Sequence, residues 1–218
     1  MPGLVPNRFL FDFELPIRYR VEPPSVTGDL DEWDEKYLLP DLCRLEGQRP
    51  FGAVYAAWNE DGLYVAASVA GKRRPLRCDP GEFWKSDHLR ICVDFRDARN
   101  IKRATRFCQQ FYLLPTGGGA GGDRPVGGAH KIRRAREDPP TVPPGRIRVG
   151  ARITADGYGM DAQLPADCLS GFDPVEHPRI GFYYMLEDHD HGQQCLTVGD
   201  DLYWYVDPST WATAVLAR

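Results

Sequence analysis

Between His88 and Phe95 the chain places Leu89, Ile91, Val93 and Phe95 in strict alternation with His88, Arg90, Cys92 and Asp94. A hydrophobic period of two commits this segment to a β-strand with one face on a core and the other turned to water or a ligand. Directly before it stands Phe83-Trp84-Lys85-Ser86-Asp87. A tryptophan in that place can present its ring at the rim of a sheet, where a flat, weakly polar ligand can be gripped.

Further strands follow from the same logic. Residues 53–58 and 63–69 flank Asn59-Glu60-Asp61-Gly62, a turn whose glycine tolerates positive φ, and so form a hairpin. Strands are also expected over 107–114 and 147–154, and in the return segment carrying Tyr158, Met160, Ala162 and Leu164. Residues 179–187 are nearly continuously apolar, as in a strand covered on both faces, and strands at 203–206 and 212–216 close the chain. Helical signals are confined to a turn at 165–169 and a turn leading into a short helix at 27–33. Many strands with short turns predict an all-β fold, an antiparallel β-sandwich of jelly-roll type.

One stretch interrupts the pattern. Residues 116–145 hold GGGAGG, the pair Gly127-Gly128, the basic run Lys131-Ile132-Arg133-Arg134-Ala135-Arg136 and PPTVPP. Glycine and proline at this density predict a flexible loop insertion between strands, either mobile or covering a ligand. With 218 residues, the chain reads as a single domain.

A net charge of −4 supplies no electrostatic footprint for nucleic acid. No apolar run approaches the ~20 residues that span a bilayer. The start, Met1-Pro2-Gly3-Leu4-Val5-Pro6-Asn7-Arg8, lacks a basic segment followed by an apolar one and does not read as a secretory signal. Six cysteines at irregular spacing, without a CxxC pair, read as reduced thiols of a cytoplasmic protein. A chain trimmed of its signal would be extracytoplasmic.

The order of these pieces resembles the family 9 carbohydrate-binding modules and the wider DOMON-like β-sandwich group. Val26-Thr27-Gly28-Asp29-Leu30-Asp31-Glu32-Trp33 is similar to that family's opening, and the 54–69 hairpin and the 83–94 strand follow in its order. So do 157–165, 179–188 and the ending Trp204-Tyr205-Val206-Asp207-Pro208-Ser209-Thr210-Trp211. The resemblance implies a non-catalytic domain in which two aromatic rings clamp a sugar at one end of the sandwich. Trp84 falls on the first ring's position, and Trp204 or Tyr205 on the second. Two positions depart from the family: Arg90 replaces an inward-facing glutamate, and Tyr112 stands where an arginine is common. Arg90 and Tyr112 thus become the polar contacts, suited to a different glycan or to an acidic ligand.

Other chemistry is sparse. GxSxG, HExxH and a phosphate-cradling GKS or GKT are all missing from the sequence. Glu187-Asp188-His189-Asp190-His191-Gly192 is the densest set of metal-ligand types, and reads as a solvated turn. Asp29 and Asp31 could help hold calcium, as the resemblance allows. The alternatives to sugar binding are a DOMON-like haem or redox domain, with Met160 or Met185 as an axial ligand, and an interaction domain that has lost its sugar site.

Overall fold

A computed structural model describes residues 13–199 and 202–218. The amino-terminal stretch Met1 to Arg8 lies outside them. The strands are β1 (Glu14–Tyr19), β2 (Gly52–Asn59), β3 (Gly62–Ala70), β4 (His88–Asp94), β5 (Cys108–Gly118), β6 (Arg124–His130), β7 (Arg148–Ile153), β8 (Gly157–Pro165), β9 (Arg179–Asp188), β10 (Gly192–Cys195) and β11 (Ala212–Ala217). Among the described residues helix is limited to short 3-10 turns, including Ala166–Cys168 where a single turn is expected. The 27–33 segment forms turns and bends, and its 3-10 turn comes later, at Glu35–Tyr37.

The strands run in the order β6-β5-β4-β9-β11-β1-β2-β3-β8-β7, with β10 on β9. The two ends of this path fold onto one another, which makes the sheet a sandwich nearly closed on itself. A Cβ on Gly127 in β6 would stand 2.7 Å from Val149 Cγ2 in β7. Among the described strands pairing is antiparallel with one exception: β1 runs parallel to both β11 and β2. The period-two pattern cannot reveal such an insertion, because alternation is the same in either direction.

Leu89, Ile91 and Val93 pack in the core with Phe111, Leu113, Ile180, Phe182 and Leu186. Each side chain of this kind contributes about 1.5–3 kcal/mol by leaving water. The polar face of β4 departs from expectation, for every residue of the strand is buried. A 3-10 turn, Pro80–Lys85, and the region around Trp204 cover it. As expected, β9 is buried on both faces, apart from its ends.

Two segments differ from the sequence reading. The 116–145 stretch does not stay irregular, because β5 runs on to Gly118 and β6 pairs with it through Tyr112↔Gly128 and Leu113↔Gly127. Glycine is required here by close approach: a Cβ on Gly128 would meet the Tyr112 hydroxyl at 2.8 Å. Residues 203–206, expected as a strand, form a turn in which the Tyr203 carbonyl accepts from the amides of Val206 and Asp207. The following Asp207 accepts from Ser209 N at 3.0 Å and starts a 3-10 turn at Pro208. All six cysteines are thiols, with no disulfide joining any two of them.

Candidate functional site

The site begins with the turn that precedes β4. Asp79 Oδ1 accepts from Gly81 N at 2.8 Å, Pro80 opens the turn, and the Ser86 hydroxyl accepts from Asp79 N at 2.8 Å. This winding buries Phe83 and leaves Trp84 50% exposed. The turn is anchored from below by an ionic cluster. Lys72 Nζ lies 2.7 Å from Asp188 and 3.2 Å from Asp87, both fully buried. Burial works against the ammonium, but the hydrogen bond to Asp188 and the charge and hydrogen bond of Asp87 outweigh it, so the lysine pKa is raised. Asp87 also accepts from His189 N at 2.6 Å and Arg77 N at 3.0 Å.

Register then sets the floor. Arg90 on β4 pairs with Tyr112 on β5 and Met185 on β9, and His88 with Glu187, so these side chains share a face. Arg90 is 7% exposed, its guanidinium 4.9 Å from the Phe83 ring centroid and 5.0 Å from that of Trp204. Trp204 is 1% exposed and stacks on Tyr183 at 4.8 Å, and its carbonyl accepts from Trp211 Nε1 at 2.8 Å. Tyr205 meets Trp204 edge-on at 5.8 Å, and its carbonyl accepts from Gln110 Nε2 at 2.8 Å.

Above this floor opens a cleft of about 410 Å³. Phe83, Trp84, Trp204 and Tyr205 are its aromatic walls; Arg90, His130, Arg133, Glu187 and Gln193 bring polar atoms to it. Four of the sequence-selected residues, Trp84, Arg90, Trp204 and Tyr205, therefore come together. Tyr112 does not line the cleft. Its ring lies beneath Phe83, stacked at 4.3 Å and 12°. Tyr203, with φ of 54° and 61% exposed, meets Tyr205 edge-on at 6.0 Å.

His130, Arg133, Glu187, Gln193 and Phe83 were not legible as cleft residues. Glu187 could have been found by extending the β4 alternation across to β9; His130 and Arg133 lie in the stretch read as loop. Burial, then the charge of Arg90, lowers the His130 pKa. The same causes bring His88 down to about 3, with Nδ1 placed 2.7 Å from the Ser86 carbonyl. Both imidazoles are neutral at pH 7.

Three further ligand-type residues, Asp190, His191 and Asp29, are engaged elsewhere. Asp190 accepts from the backbone amides of Arg73 and Arg74, and His191 stacks on Phe51. Asp29, a calcium candidate, accepts from Arg152 at 2.5 Å. No three His, Cys, Asp or Glu side chains converge as a metal site among the described residues. Met160 is buried in the core, and Met185 lines the cleft.

No protein-family model matches the sequence, and no curated protein matches it either. Solved structures do. A family 9 carbohydrate-binding module from Caldicellulosiruptor kristjanssonii in complex with cellotriose superposes with a TM-score of 0.63 at 14% identity, over 94% of each chain. The corresponding complex with glucose gives 0.63 and 14%, over 93% of this chain and 96% of that one. A Bacteroides uniformis protein named as a candidate carbohydrate-binding protein gives 0.58 at 11% identity, over 93% and 98%. The chain has the fold of the family 9 carbohydrate-binding modules.

Proposed function

We propose that the cleft binds a carbohydrate without chemical conversion, the sugar's C–H face resting on Trp84 and its hydroxyls meeting the polar atoms around the floor. The observation that carries this reading is a half-exposed tryptophan at the rim of a walled cleft, in a fold whose structural neighbours were solved with cellotriose and glucose. Aromatic rings grip pyranoses through their apolar face, while a few convergent polar groups fix orientation. Arg90 and Arg133 donate, Glu187 accepts, and neutral His130 and Gln193 do both. The second ring is Tyr205, because Trp204 lies beneath Arg90 and serves as the seat of the guanidinium.

A glycan array on the purified protein tests the reading, with Trp84→Ala alongside. The variant is expected to fold normally and to lose roughly tenfold in affinity, about 1–2 kcal/mol of ring contact. Unchanged glycan affinity in folded Trp84→Ala would sink the proposal.

A further inference from the structure

Beside the cleft, where β6 ends, lies a second hollow of about 280 Å³. Ala129, Pro140 and Val142 form its apolar wall, and Gln110 and His130 supply polar atoms. His130 lines both hollows. Gln110 ties them together, since it lines the second and donates to the carbonyl of Tyr205 in the first. The charge in the second hollow is internally balanced, with Lys131 held by Asp138 at 2.5 Å.

This chemistry suits a further uncharged sugar better than an ion. An apolar wall takes the C–H face of a pyranose, and a neutral imidazole offers one donor and one acceptor to hydroxyls. The prolines of 139–140 hold their φ angles before any ligand arrives, so little ordering is needed to form the wall. Small-molecule sites run from roughly 300 to 1,000 Å³. The cleft is low in that range and the second hollow just under it, whereas the two joined reach well into it.

We propose that the two hollows are consecutive subsites for one oligosaccharide, with His130 at their junction and the segment 138–142 as the wall of the second. This rests on the carbohydrate reading of the first cleft and assigns a task to the glycine- and proline-rich stretch.

The test is calorimetric titration with mono- and trisaccharides of glucose, xylose and mannose, on the wild-type chain, on Trp84→Ala, and on Ala129→Trp and Thr141→Trp. Ala129 and Thr141 are exposed, line the second hollow, and would fill it as tryptophans. The trisaccharide is expected to bind the wild-type chain about tenfold tighter than the monosaccharide. Each filling variant is expected to lower it to the monosaccharide value while leaving monosaccharide affinity unchanged. A trisaccharide advantage that survives both variants overturns the second subsite and leaves the cleft reading intact. So does a monosaccharide that binds through Trp84 with no gain on lengthening. A folded protein that takes none of these sugars overturns both.

Discussion

The guanidinium of Arg90 lies 5.0 Å from the ring centroid of Trp204 and 4.9 Å from that of Phe83. One cation thereby joins the turn before β4 to the turn before β11 and sets the floor between them. A desolvated cation–π contact is worth about 2 kcal/mol, and the arginine stem adds packing. Arg90→Ala is expected to cost about 2–3 kcal/mol in urea unfolding. Trp204→Ala, which empties a fully buried ring site, is expected to cost about 3–5 kcal/mol. If Trp204→Ala were as stable as wild type and lost only glycan affinity, the ring would be a ligand platform after all.

Lys72 is the cation placed between the buried carboxylates of Asp87 and Asp188, 3.2 Å from the first and 2.7 Å from the second. Removing one partner of a buried ion pair costs more than the pair itself contributes, because the remaining charge stays desolvated. Lys72→Met is therefore expected to destabilise by about 3–5 kcal/mol. Chemical denaturation followed by circular dichroism measures it. A cost below about 1 kcal/mol would mean the carboxylates are solvated, as exposed pairs are.

Two buried groups oppose each other in acid. Burial raises the Asp161 carboxyl to about 6, above the ~3.9 of an unfolded chain, so the folded state binds the proton first. Through this group alone, stability rises as pH falls from 6 towards 4. His88 works the other way. Held at about 3 against ~6.5 unfolded, it stays neutral while the unfolded chain takes up a proton. Its contribution is lost as pH falls below 6.5. Asp161→Asn removes the compensation, and its stability should fall more steeply than that of wild type between pH 6 and 4. The difference in slope is at most about 1.4 kcal/mol per pH unit. Parallel curves for the two proteins in that window would refute the assignment.

Much of the framework was legible because alternation survives whatever the neighbours are. The 53–58, 63–69, 88–95 and 179–187 segments became β2, β3, β4 and β9, shifted by a residue or so at their ends. β1, β6 and β10 were not anticipated. In β6 the glycines that argue against a packed element are the residues that let it approach Val149 and Tyr112. Residues 203–206 carry strand-like composition, yet the backbone turns there, since Asp207 and Pro208 start a new element.

At the site, the sequence alone determined that β4 has one apolar and one polar face, and that Phe83 and Trp84 stand just before it. Those are local properties of a period-two pattern. Which ring is free and which is buried was decided only by tertiary structure. Trp84 and Trp204 are the same residue type, each preceded by another aromatic residue, but one is half exposed and the other lies between Arg90 and Tyr183. Exposure depends on what the rest of the chain lays over a residue. The covering groups come from β9 and from β4 itself, and only strand register, a long-range property, brings them together.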